Sequence, residues 1–298
     1  MGYRLRARER VDIGLRRVVR EQIRGAVNDL SRKGDALHEG VHEARKRFKM
    51  IRAALRLSRG ALGEEAFLAE NGWYRDTGRT LSSVRDAVAM IECFDLLRKR
   101  FPREGAEEAW AMARRGLEAR LQRVSEGPEG VEGLEARAAG VAVGLSEALL
   151  RVRSWMLKDQ GFSTIEPGLE RVYRQGRAAM ELALVDPTDE HLHEWRKRVK
   201  DHWYHVRLLR NVWPKVMDAY GKEMKALSDA LGNDHDLAVV APVMRAEPES
   251  FGGVEPVEGI LALGARRRGE FQAHARTLGR RIYAEKPRVL VKRFESRW

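Results

Sequence analysis

The chain has 298 residues, 43% of them hydrophobic, enough to fold around one large or two modest cores. Its 56 Lys and Arg against 44 Asp and Glu leave a formal net charge of +12, which points to an acidic partner without saying which acid. One cysteine, Cys93, excludes an intramolecular disulfide and fits a reducing compartment; no apolar run approaches membrane-spanning length, and MGYRLRARER has no apolar signal region, so a cytoplasmic protein is expected.

Ala, Leu, Arg and Glu dominate, β-branched residues are dispersed, and prolines fall where helices should begin or end, which predicts an all-α fold. In chain order, the pattern predicts a helix over about Glu9 to Arg32, stopped by Ser31-Arg32-Lys33-Gly34, then a strongly basic helix up to Gly60. Further helices are expected from Glu64 toward Leu81, from Ser83 to Arg100 and from Glu104 to Ser125. Cys93, set in Ile91-Glu92-Cys93-Phe94, is expected to pack rather than react. Gly127-Pro128-Glu129-Gly130 is the strongest linker signal, and a long helix from Glu132 to Leu157 should follow it. Ser163 to Val185 is the next helix, and Thr188 is placed to cap a second basic one. Pro214 to Leu231 and Asp234 to Met244 are expected as separate helices, then a Pro/Gly/Glu-rich loop from Glu247 to Glu258 and a final helix from Gly259 to Ala284. The tail, Lys286 to Trp298, is basic and is expected to fray.

The basic helix carries the main functional signal. In HEARKRFKMIRAALRLSR, residues 42 to 59, His42, Arg45, Lys49, Arg52 and Arg56 recur at steps of three and four, so they form one stripe of a helix. Val41, Ala44, Phe48, Ile51 and Leu55 keep the same rhythm one residue earlier, on a stripe roughly 100° away. Such a helix buries one side and sets a row of cations along the edge of the core.

The pattern occurs twice. His193-Glu194-Trp195-Arg196-Lys197-Arg198-Val199-Lys200 overlays His42-Glu43-Ala44-Arg45-Lys46-Arg47-Phe48-Lys49 at an offset of 151 residues. Leu192, Trp195, Val199, Val206 and Leu209 form its apolar stripe; His193, Arg196, Lys200, Arg207 and Arg210 form its cationic one, with Trp203 where the first copy has Arg52. Gly14-Leu15-x-Arg17-Val18-x-Arg20 matches Gly168-Leu169-x-Arg171-Val172-x-Arg174, and Leu81 to Arg85-Asp86 matches Leu231 to His235-Asp236, in the same order. A period near half the chain indicates two copies of one helical unit rather than a solenoid. The first copy is expected over 9–126, a linker and connecting helix over 127–162, the second copy over 163–285 and the basic tail over 286–298.

On the paired His-x-x-Arg-x-x-x-Lys helices and the Arg85-Asp86 and His235-Asp236 motifs, the chain resembles the CHAD family, the conserved histidine α-helical domain. The resemblance covers about Glu9 to Tyr283. It implies an all-α pair of pseudo-symmetric helical bundles with a basic central groove or channel that binds inorganic polyphosphate, and an association with polyphosphate granules. CHAD domains often accompany a triphosphatase domain with a Glu-x-Glu-x-Lys strand; here Glu247-Pro248-Glu249 is followed by Ser250-Phe251, so a standalone type is implied.

The residues support that chemistry. Seven helical residues advance ~10.5 Å, enough for several phosphates of a linear polyanion. Arg offers phosphate a flat fork of donors and Lys a mobile point charge. The expected binding residues are Arg17, Arg20, His42, Arg45, Lys46, Lys49, Arg52, Arg56 and Arg85 in the first half, and Arg171, Arg174, His193, Arg196, Lys197, Lys200, Tyr204, Arg207 and Arg210 in the second. Asp86 and Asp236 are expected to orient cations rather than to react. No metal or cofactor is expected: His191 and His193 do not share a helix face, and His202 and His205 lack a carboxylate at the right step. Walker-type, Gly-x-Ser-x-Gly and His-Glu-x-x-His motifs are missing, so binding rather than catalysis is expected. The rivals are a nucleic-acid binder, disfavoured because the stripes carry almost no aromatics besides Trp203 and Tyr204, and a phosphate-ester enzyme using His42 or His193 as acid or base.

Overall fold

The computed structural model describes residues 2–81, 83–127 and 131–298. These residues form α-helices joined by short connections, and no strand occurs among them. The helices are α1 (Val11–Leu30), α2 (Asp35–Leu57), α3 (Arg59–Leu62), α4 (Glu64–Arg79), α5 (Ser83–Arg100), α6 (Glu107–Glu126), α7 (Val131–Ser154), α8 (Glu166–Val185), α9 (Asp189–Leu208), α10 (Pro214–Ala246), α11 (Val254–Ile282) and α12 (Pro287–Glu295).

The two basic helices are α2 and α9, and both bury the stripe that their periodicity marks. Val41, Ala44, Phe48, Ile51 and Leu55 of α2 are all buried, as are Leu192, Trp195, Val199, Val206 and the adjoining Leu209 of α9. The Thr188 side chain accepts a hydrogen bond from the His191 backbone N–H, so α9 begins at the expected cap. One core runs from the N-terminal strap through α1, α2, α4, α7, α8 and α9 to the first half of α10, the end of α11 and α12. A second, smaller core joins α5 and α6 to the later half of α10 and the start of α11 through Phe94, Trp110, Val240, Phe251 and Ile260. Helices α5 and α6 therefore complete their packing against elements far along the chain.

Helix α9 packs against α2 on one side and against α8 and α10 on others. Close approach fixes the α8–α2 crossing: a Cβ on Gly168 would lie 1.9 Å from the Leu57 carbonyl oxygen, so only glycine fits. Arg171, one turn on, donates to the Arg56 carbonyl at 2.9 Å and satisfies the end of α2.

Two expectations are corrected. Residues 214–246 form one continuous helix, despite Gly232-Asn233 and Pro242. Tertiary packing outweighs those breakers: Leu231, Leu237, Val240 and Met244 are buried across both cores. Asp234, 1% exposed, accepts from Arg268 Nε at 3.0 Å and from Gln272 Nε2 at 2.8 Å. The basic tail does not fray. Pro287 opens α12, whose Leu290, Val291 and Phe294 are buried in the main core.

Candidate functional site

The run Arg45-Lys46-Arg47 sends its three cations in three directions, as a 100° helical step dictates. Arg47 turns to α1, donating to Asp29 at 2.6 Å and to Gln22 at 3.2 Å. Lys46 folds back onto Glu43 at 2.6 Å. Arg45 turns toward α5 and donates from Nη1 to Asp86 Oδ1 at 3.3 Å. Helix α9 repeats this sorting only in part, since Arg198 stays on its own helix where Arg47 crosses to α1. Lys197 and Arg198 both pair with Glu194, whereas Arg196 faces α10, with its Nε 3.7 Å from where a Gly232 Cβ would stand.

Lys49 and Lys200 approach the same place from the two helices. The Lys49 ammonium is pushed down to about 8, by burial first and then by Arg45 and Arg196, with Asp86 and Asp236 opposing. Lys49 nevertheless keeps exposed surface, so its ammonium is enclosed by protein without being cut off from water. Burial, Arg196 and Lys49 push Lys200 down to about 7, against Asp236 and Asp229. Arg196 is also lowered by burial, offset by Asp236, and its Nε is buried with no hydrogen-bond partner among the described residues.

Two histidines complete the cluster. The His193 ring lies against that of His235, and its Nδ1 is buried without a hydrogen-bond partner among the described residues. Burial, Lys197 and Arg196 lower its pKa, and burial, Arg196 and His193 lower that of His235 to about 4. Cationic and imidazole groups thus crowd one seam, opposed by Asp86, Asp229 and Asp236 around the lysines and by Glu194 and Asp189 beside the histidines. His42, half-buried at the head of the α2 row, acts electrostatically on Glu43.

Arg52 and Arg56 flank this cluster. Arg52 donates to Asn71 at 3.1 Å, and its pKa is lowered to about 10 by burial and then by Arg56. Arg56 pairs with Asp201 of α9 at 3.2 Å, tying the two helices together; burial raises the Asp201 carboxyl all the same.

Several expected residues go elsewhere. Arg17 donates to Glu9 at 2.7 Å, to Glu21 at 3.1 Å and to the Arg4 carbonyl at 3.0 Å, fastening the N-terminal strap to α1. Arg20 is half-buried on α1, its Nε buried and without a hydrogen-bond partner among the described residues. Arg171 caps α2 as described above, and exposed Arg174 pairs with Glu170 at 3.6 Å. Tyr204 is a core residue, edge-on to Tyr3 with ring centroids 6.1 Å apart. Arg207 lies over the Tyr3, Trp203 and Tyr204 rings, and Arg210 pairs with Asp218 at 2.8 Å. The Arg85 side chain lies outside the described residues.

His202 and His205 are fully buried. Their Nε2 atoms sit 3.1 Å from the Tyr220 hydroxyl and 2.9 Å from the Ala53 carbonyl, and burial lowers their pKa values to about 3 and about 4. They are neutral packing residues. Burial pushes the Cys93 thiol up to about 12, which makes it a poor nucleophile. No cluster of His, Cys, Asp and Glu suited to a metal occurs among the described residues, and no described helix is long and apolar enough to cross a membrane. His235 is the member of the cluster that the stripe pattern missed. Its signal was the alignment with Arg85, which put a basic group at that point of both halves.

The fold and these residues define an all-α protein in which cations from two helices are concentrated at one seam. A family model described as CHAD domain matches residues 17–245, and the chain belongs to that family. The CHAD family is associated with polyphosphate binding in general. No curated protein matches the chain.

Proposed function

We propose that this protein binds inorganic polyphosphate in a groove between α2 and α9, with His42, Arg45, Lys49, Arg52 and Arg56 on one wall and His193, Arg196 and Lys200 on the other, and His235 beside them. The observation that carries the reading is the crowding of Lys49, Lys200 and Arg196, cations from two helices: after burial, Arg196 lowers the pKa of both lysines, and Lys49 lowers that of Lys200 further. A fold gains no stability from forcing such groups together, so their arrangement makes sense when an anion comes between them. Polyphosphate suits the site because its charges repeat along a chain, as these cations repeat along two helices. Arg196 Nε and His193 Nδ1, buried and without a hydrogen-bond partner among the described residues, are further polar atoms that a ligand entering the seam would satisfy. The two halves read as duplicated copies of one helical unit, each supplying one wall. Binding without hydrolysis, in the cytoplasm and at polyphosphate granules, completes the reading.

Calorimetric titration with long-chain polyphosphate tests it, comparing wild type with Lys49→Gln/Lys200→Gln and with single-stranded DNA as competitor. Loss of binding in the variant and weak competition by DNA are expected. Unchanged affinity in a folded variant removes the site, and equal competition by DNA favours a general polyanion binder.

A further inference from the structure

Where the α2 row continues with Arg52, α9 has Trp203, and the surface there has a different chemistry. Trp203 lines a cavity of about 480 Å³ between the N-terminal strap, α9 and the start of α10, within the usual range for small-molecule sites. Tyr3, Val206 and Met217 add apolar surface to it, and Arg4, Arg207 and Lys222 bring positive charge.

Arg207 is the central group. Its guanidinium carbon lies 5.0 Å from the Trp203 ring centroid and 5.7 Å from those of Tyr3 and Tyr204. Three aromatic rings therefore seat it, while no carboxylate among the described residues lies within ion-pair distance of it, of Arg4 or of Lys222. Neighbouring Arg210 and Lys225, by contrast, are held by Asp218 and Asp229. The cavity thus combines flat aromatic and guanidinium surface with cations that the protein does not neutralise.

Inorganic polyphosphate has no use for that apolar surface. A molecule with a flat heteroaromatic body and a short phosphate chain would use both features, by stacking on the indole or guanidinium and by pairing its phosphates with Arg4 and Lys222. We propose that this cavity is a second ligand site, separate from the α2–α9 seam, and that it takes a nucleoside polyphosphate.

The test is calorimetric titration of the full chain with ADP, pyrophosphate and adenosine. ADP is expected to bind at least about tenfold more tightly than pyrophosphate, because stacking of the base adds to the phosphate contacts. Trp203→Ala and Lys222→Glu should each weaken ADP binding by about tenfold, and Lys49→Gln/Lys200→Gln should leave it intact. Lys222 is exposed, so its variant keeps the test valid if Trp203→Ala fails to fold. Absence of ADP binding, equal affinity for pyrophosphate and ADP, or unchanged ADP binding in folded Lys222→Glu would each overturn the proposal. Loss of ADP binding in Lys49→Gln/Lys200→Gln, with Lys222→Glu unaffected, would place the nucleotide in the seam and overturn it as well.

Discussion

The imidazole rings of His193 and His235 lie with centroids 4.4 Å apart and planes tilted by 39°, one from α9 and the other from α10. Each ring is half-buried near Arg196 and is held neutral by its surroundings. An anion bound beside them reverses that balance, because it favours the charged imidazole.

Binding should therefore take up protons in the acidic range. His235 titrates at about 4 in the free protein, and a bound phosphate raises that value. Affinity for long-chain polyphosphate should increase as pH falls from 7 toward 5, since only the complex gains the protons. Titrations at several pH values should show this slope in wild type and a flatter profile in His193→Gln/His235→Gln. Identical profiles would make the pair structural.

The lysines give a second window with its own sign. Lys200 falls from 10.5 to about 7 in the fold, so between those values the unfolded chain holds more protons and stability rises with pH. Below about 7 the full cost of the charged ammonium is present. Lys200→Met should then raise stability by about 1–2 kcal/mol at pH 6, after discounting for solvent screening, with the gain vanishing near pH 10.5. The same variant should lose polyphosphate affinity. Melting curves at both pH values, with one titration, check the pair of outcomes.

Arg45→Glu/Arg196→Glu should abolish polyphosphate binding and leave helicity intact, because both side chains lie off the buried stripes. In wild type, log affinity should fall linearly with log salt, at about −0.7 per phosphate contact if the chain behaves as a single nucleic-acid strand. Arg17→Gln should leave that slope unchanged, since its partners are Glu9 and Glu21. Circular dichroism and titrations across salt concentrations measure all three. A flat salt dependence would defeat the polyanion reading.

Phe48→Ala should cost about 3–5 kcal/mol, and Val199→Ala less, without a direct effect on binding in the folded population. Phe294→Ala should cost about as much as Phe48→Ala, because Phe294 is 1% exposed and α12 is part of the core. Chemical denaturation reads these values. A Phe294→Ala variant as stable as wild type would mean that α12 is dispensable.

Much of this architecture was legible in one dimension. Steps of three and four separated Phe48 and Val199, which are buried, from Lys49 and Lys200, which reach the seam. Thr188 announced the start of α9. The misjudged segments were those where packing overrides local preference: Gly232 and Pro242 read as breaks, and the basic composition of the tail hid the buried triad Leu290, Val291 and Phe294.

The sequence by itself determined an all-α chain, its family and the direction each residue takes around its own helix, because those follow from the 3.6-residue repeat and from motif order. Only the tertiary structure decided which cations meet. Arg17 and Arg45 both sit on basic, regularly spaced stripes; one ends between Glu9 and Glu21, and the other beside Asp86 near Lys49. Periodicity fixes an angle about one axis. The partner across the seam depends on how distant helices pack, so the electrostatics of Lys49, Lys200, Arg196 and the His193–His235 pair exist only in the folded chain.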